Sequence, residues 1–308
     1  MSVFSSPAGG AAMDRLCEAV SLRGAVCVGL DTVPEYVPPA ERGRASSDAE
    51  AVLAYNKALV DATADTAACY KVQIACYEEM GLEGLRVYAQ TLRYIRSKGL
   101  LVIADIKRGD IADTARRYAR AHFEGEFEAD FVTLSPYMGM DTLEPWLAYA
   151  EKSGKGAFVL MRTSNPGMQD FENQKLQDGR HLYEAVGDKL AELAATHHGA
   201  RGYGLFGAVV GCTEAGGGCA AALRARYPSL FFLVPGYGAQ GGAAETAAAL
   251  LRNSAGIGGI VNASRSILLA WKTAGADGDF AAAASLSREA ALQMRREIES
   301  IALSSQRE

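Results

Sequence analysis

Eight short apolar stretches alternate with eight helical patterns along this 308-residue chain, and that alternation predicts an α/β fold, a (β/α)8 TIM barrel. Two further observations agree. The length suits one undivided barrel, and composition shows neither a break nor a linker. Charged residues also collect where apolar runs end, and active sites of parallel-sheet proteins lie at such ends. The expectation is a single domain over residues 1–308, with its core at about 20–303. A doubly wound sheet is the competing architecture, which a strand count disfavours only weakly.

The predicted strands are Ala25–Leu30, Cys69–Ala75, Leu100–Ile106, Phe131–Leu134, Ala157–Met161, Gly207–Gly211, Phe231–Val234 and Gly259–Asn262, each an apolar, β-rich run. Helical patterns fall at about 47–67, 83–98, 111–123, 141–152, 180–197, 215–226, 243–252 and 279–302. Asp110 and Asp279 stand where N-caps of the third and last of these helices would stand. Most connections are short. Arg162–Arg180 is the exception, a polar stretch with Pro166 and Gly167 after the fifth strand, where a substrate lid is plausible.

The net charge of -5 offers no electrostatic case for nucleic acid or an anionic membrane as partner. No apolar run is long enough to span a bilayer, and Met1–Gly10 lacks the pattern of a secretory signal. Cys17, Cys27, Cys69, Cys76, Cys212 and Cys219 are scattered without the tight spacing of a zinc site. They read as reduced, mostly buried thiols of an intracellular, cytoplasmic protein.

The third strand carries the chemistry. Asp105 and Lys107 are two residues apart and share one face of a strand, a face continued by Leu101 and Ile103 toward the core. A barrel interior takes a carboxylate and an ammonium only with compensation. Gly109 permits a sharp exit turn, and Asp110 follows. A structural ion pair at a strand end is the plainer alternative. Lys71 lies inside the second apolar strand and is costly there unless paired; Asp105 is within reach if the two strands are neighbours. Asp31 ends the first strand, where it either starts a turn or accepts from sugar hydroxyls.

Lys71, Asp105, Lys107 and Asp110 together would alternate in sign. One such pair at ~4 Å is worth about 4 kcal/mol at an effective dielectric of 20. That interaction keeps both lysines charged in a dry site where each alone would tend to shed its proton. A proton-bearing Lys107 held in such a site can stabilise an anion that develops beside it and then donate a proton to it. After the seventh and eighth strands come Pro235-Gly236-Tyr237-Gly238-Ala239-Gln240-Gly241-Gly242 and Ser264-Arg265, a glycine-rich cradle and a guanidinium suited to phosphate.

This set resembles the orotidine 5'-phosphate decarboxylases. Asp105-Ile106-Lys107-Arg108-Gly109-Asp110-Ile111 carries their Asp-x-Lys-x-x-Asp signature. Gly29-Leu30-Asp31, Lys71, Thr163-Ser164-Asn165-Pro166 and the two phosphate segments stand in family order. The Thr-Ser-Asn-Pro segment is similar to that of the family's longer branch. The resemblance implies decarboxylation of orotidine 5'-phosphate to UMP and carbon dioxide, the last step of pyrimidine nucleotide synthesis, without metal or cofactor. It implies Lys71, Asp105, Lys107 and Asp110 as catalytic residues, with Lys107 the proton donor. It further implies a homodimer with shared active sites, Asp110, Ile111 and Thr114 being lent to the neighbouring subunit. Asp31 and Lys71 would contact the ribose, Ser164 the pyrimidine, and Gln240 and Arg265 the 5'-phosphate. The rival readings are three. One is a magnesium-dependent sugar-phosphate enzyme of the same superfamily, which uses a Glu near the end of the second strand. The others are a lysine Schiff-base aldolase and a catalytically dead nucleotide-binding barrel.

Overall fold

The computed structural model of the protein describes residues 10–212, 220–238, 244–253, 256–276 and 278–304. Eight parallel strands close into a barrel in chain order. They are β1 (Val26–Leu30), β2 (Cys69–Gln73), β3 (Leu101–Arg108), β4 (Phe131–Leu134), β5 (Gly156–Arg162), β6 (Phe206–Val210), β7 (Phe232–Val234) and β8 (Gly259–Ala263). β1 pairs with both β2 and β8, which completes the ring and leaves no edge. Every predicted strand is present, its ends displaced by at most two residues. β1, β4, β6, β7 and β8 are buried along their whole length. Helices cover their outer faces and side chains fill the interior, which is why these strands read as apolar runs rather than alternations.

The longer helices among the described residues are α1 (Ala12–Arg23), α2 (Asp48–Thr63), α3 (Gly81–Ser97), α4 (Ala112–Phe123), α5 (Glu144–Ser153), α6 (Leu182–Thr196), α7 (Ala220–Arg226), α8 (Ala244–Leu251) and α9 (Phe280–Ser304). In α2, Val52, Tyr55, Leu59 and Val60 recur at helical spacing and are fully buried. Its start is fixed by Ser47, whose hydroxyl accepts from the Glu50 N–H at 3.2 Å. Asp279 caps α9 as expected, accepting from Ala282 N–H at 2.9 Å. Asp110 does not cap α4. The N-cap is Ile111, and Asp110 Oδ1 instead takes the adjacent Ile111 N–H at 2.8 Å, one residue too early for a cap.

α1 was not anticipated, because it precedes the first strand and lies outside the βα alternation. It buries Met13, Leu16 and Val20 against the N-terminal end of the barrel. Arg15 donates to Asp130 at 2.8 Å, Ala12 N–H to Gly154 O at 2.9 Å, and Asp14 accepts from Ala200 and Arg201 N–H groups at 2.8 Å. These partners precede β4, β5 and β6, so one helix joins the beginnings of three strands. The segment after β5 is folded on itself. It contains a 3-10 turn at Pro166–Gln169 with Met168 buried, and Glu172 accepts from the Thr163 N–H at 2.7 Å and hydroxyl at 2.8 Å.

Candidate active site

The C-terminal ends of all eight strands open into one cavity of about 390 Å³, a size suited to a small-molecule ligand. Its charged floor is built from β1, β2 and β3. Lys71 sits opposite Gly29 of β1 and Ile103 of β3, so an acid beyond either neighbour comes within reach. Its ammonium donates to Asp105 Oδ2 at 2.8 Å and to Asp31 Oδ1 at 3.0 Å. Lys107 Nζ donates to Asp105 Oδ1 at 2.6 Å. Gln73 Nε2 adds a bond to Asp105 Oδ2 at 3.0 Å, and Thr133 Oγ1 one to Oδ1 at 2.8 Å. Each oxygen of this buried carboxylate thus accepts two hydrogen bonds, and the site has no room for a proton on it.

Burial alone would drive Lys71 to shed its proton, but the charges of Asp105 and Asp31 outweigh it and hold the ammonium well above the ordinary lysine range. Burial likewise favours a neutral Asp105, and the charges of Lys71 and then Lys107 overcome it, holding the carboxyl well below the usual carboxylate range. Lys71 and Asp105 have side chains only 6% exposed, whereas that of Lys107 is 48% exposed. Lys107 is therefore the most exposed member of the row, while Lys71 and Asp105 also line the cavity.

The sharing of one face by Asp105 and Lys107 does not come from regular strand alternation. The β3–β4 register shifts between Ala104 and Arg108, and Lys107 adopts a left-handed φ of 44°. That conformation costs a non-glycine residue about 1–2 kcal/mol. Such bulges re-aim side chains beside active sites.

Asp31 is held from its far side by Ser264, whose hydroxyl donates to Oδ2 at 2.8 Å. The neighbouring Thr32 donates to Asn56 at 2.7 Å, and Asn56 bonds Tyr77 and Thr91 in a buried network that fixes the β1 exit. Gly29 is required here by close approach: a methyl would overlap the Ser264 hydroxyl. Ser164 and Arg265 line the same cavity. Gln240 lies outside the described residues. Tyr237 lines the cavity and donates its hydroxyl to Glu297 of α9.

The expected row of four charges is three within one chain. Asp110, Ile111 and Thr114 are not among the cavity's lining residues, and Ile111 is 52% exposed. The turn that leaves β3 takes them out of the cavity's lining. Conversely, Gln73, Thr133 and Ser264 bond the acids directly and were given no role from sequence. Gln73 had a signal, standing two residues after Lys71 on the same strand face. Thr133 was a lone polar residue in Phe131–Leu134. Among the described residues no group of three or more His, Cys, Asp or Glu side chains is arranged to hold a metal ion, and no helix is long and apolar enough to cross a membrane. Cys17, Cys27, Cys69, Cys76 and Cys212 are free thiols, all but Cys76 buried.

The model of the orotidine 5'-phosphate decarboxylase / HUMPS family matches residues 24–276. The orotidine 5'-phosphate decarboxylase of Clostridium perfringens (strain SM101 / Type A) is 51% identical over 282 residues, covering 92% of this chain and 96% of its own. Among solved structures, Leishmania donovani OMP decarboxylase is 34% identical with a TM-score of 0.73, over 95% of this chain and 99% of that one. Leishmania donovani UMP synthase is 35% identical with a TM-score of 0.75; the match covers 96% of this chain and 57% of that longer one.

Proposed function

This chain belongs to the orotidine 5'-phosphate decarboxylase / HUMPS family, and from that premise we propose that Asp31, Lys71, Asp105 and Lys107 form the centre in which it decarboxylates orotidine 5'-phosphate to UMP. It is a carboxy-lyase of pyrimidine nucleotide synthesis. The observation that carries the assignment of residues is Asp105, buried and saturated, with an ammonium on each oxygen. In the reaction the bond from C6 to the carboxylate breaks, its electron pair stays on C6, and carbon dioxide departs. Lys107 Nζ, already charged and facing the cavity, stabilises the carbanion and delivers its proton to C6, leaving a neutral amine that solvent recharges. Asp105 next to the substrate carboxylate raises the energy of the bound ground state relative to the carbanion.

Asp31 and Lys71 contact the ribose hydroxyls, Ser164 the pyrimidine, and Arg265 with Gln240 the 5'-phosphate. Asp110, with Ile111 and Thr114, completes the charge row of the neighbouring subunit in a homodimer; Ile111 and Thr114 are exposed, Asp110 is half-buried and none of the three lines its own cavity, which supports that arrangement. The protein works in the cytoplasm, a reading supported by its free thiols. The magnesium-using rival is disfavoured by charge. At the end of β2 a metal would meet the Lys71 ammonium, while Glu78 in the next turn lies 3.6 Å from Arg108.

The test is incubation with orotidine 5'-phosphate in the presence of a chelator, following loss of substrate absorbance. The wild-type protein turns over under these conditions. Lys107→Ala abolishes turnover while UMP still binds. Near-wild-type turnover by Lys107→Ala would sink the assignment.

A further inference from the structure

β3 and β4 fall out of step where the site begins. Ala104 pairs with Val132 and Arg108 with Leu134, so Asp105, Ile106 and Lys107 all stand opposite the single residue Thr133. A bulge of this kind leaves backbone N–H groups without ladder carbonyls, and buried N–H groups need acceptors. One atom supplies them. Thr133 Oγ1 accepts from Ile106 N–H at 3.0 Å and from Lys107 N–H at 2.9 Å. A hydroxyl has two acceptor sites and one donor. With both acceptor sites taken, its proton is committed to Asp105 Oδ1, 2.8 Å away. The same carboxylate oxygen receives Lys107 Nζ. Thr133 is 1% exposed, so this geometry is set by the protein and not by solvent.

We propose that Thr133 is a positioning residue for the decarboxylation: its hydroxyl holds the bulge that turns Lys107 into the cavity and orients the carboxylate against which the Lys107 ammonium rests. Asp105 and Lys107 are thereby placed as a unit, through one side chain that bonds both ends of the three-residue bulge. The left-handed Lys107 backbone is otherwise disfavoured, and without the hydroxyl the bulge relaxes and carries the amine off its target. A positioning error of this order costs about 10²-fold in rate. The inference rests on the decarboxylase reading of the site.

The test compares Thr133→Val, which keeps the shape without the hydroxyl, with Thr133→Ser, which keeps the hydroxyl. Steady-state kinetics, UMP affinity by calorimetry and the melting temperature are measured for each. In Thr133→Val, kcat falls about 10²-fold, while KM and UMP affinity stay within about threefold of wild type. Thr133→Ser recovers kcat to within about fivefold of wild type. A purely structural role would lower the melting temperature and leave kcat in place, and that result overturns the proposal. So does a parallel loss of kcat and UMP affinity, or a serine variant as slow as the valine one. If the valine variant does not fold, Thr133→Ala takes its place. If only the serine variant folds, the hydroxyl is a folding determinant and the proposal fails. A wild-type protein without turnover overturns the decarboxylase reading itself; a wild-type protein with turnover beside an unimpaired Thr133→Val overturns the positioning role alone.

Discussion

Asp105→Asn is the substitution that asks most of the charge row. It preserves shape and removes one charge between two ammonium groups. At 2.8 Å from Lys71 the lost attraction is about 6 kcal/mol at an effective dielectric of 20, before the relief of desolvation is subtracted. The Lys107 pair is half open to solvent and counts for less. The amide adds a second cost. Both Asp105 oxygens face two donors each, so whichever side receives the NH2 group sets donor against donor. Breaking one member of a buried pair typically costs about 3–5 kcal/mol, and that is the expected loss of unfolding free energy at pH 7. Urea titration followed by circular dichroism measures it. Asp178→Asn, which disrupts the exposed pair with Arg180, serves as control and leaves stability nearly unchanged. The pH dependence has a fixed sign. The Asp105 carboxyl is depressed in the folded state, so its contribution is complete above the ordinary aspartate value of about 3.9. The gap between wild type and variant closes as pH falls through the depressed native value. An Asp105→Asn variant no less stable than the control would refute the claim that the row is a tightly coupled, water-poor network.

Three further outcomes follow from other parts of the molecule. Burial, and secondarily the charge of Arg108, push His122 down to about 4, so the unfolded chain binds its proton first. Stability therefore drops by about 3 kcal/mol as pH falls from about 6.5 to about 4, and His122→Phe removes that slope; an unchanged slope in urea midpoints across this range refutes it. Gly29→Ala drives a methyl into Ser264, the residue that holds Asp31. It raises KM roughly tenfold with a smaller change in kcat, and unaltered kinetics would show that Asp31 does not depend on this contact. Mixing inactive Asp110→Ala and Lys107→Ala subunits restores about a quarter of wild-type activity through hybrid dimers with one intact site; no recovery after demonstrated subunit exchange removes the shared-site assignment.

What could be read from the chain divides along physical lines. The barrel strands were legible because burial on both faces writes itself as an uninterrupted apolar run, as in Phe131–Leu134, which matches residue for residue. The Lys71–Asp105–Lys107 contacts were legible because charge inside such a run is expensive and demands a partner. Geometry that departs from period two was not. The bulge over Asp105–Lys107 leaves no mark in the residue pattern, and Thr133 reads as an ordinary β-former until its three hydrogen bonds are seen. α1 carries a signal, with Met13, Leu16 and Val20 at helical spacing, but it precedes the first strand and so lies outside the βα alternation. The turn between Lys107 and Ile111 takes Asp110 out of the lining of its own cavity, because spacing along a strand does not carry across a turn. Gln240 falls outside the described residues.

α1 and the charged cavity sit at opposite ends of one closed ring. Arg15, Asp14 and the Ala12 amide gather the beginnings of β4, β5 and β6, while the ends of those same strands carry Thr133, Leu160 and Val209 to the cavity wall. Substitutions in the helix can therefore shift heat tolerance with little effect on turnover. The two properties are free to drift apart over evolutionary time, one adjusted at each mouth of the barrel.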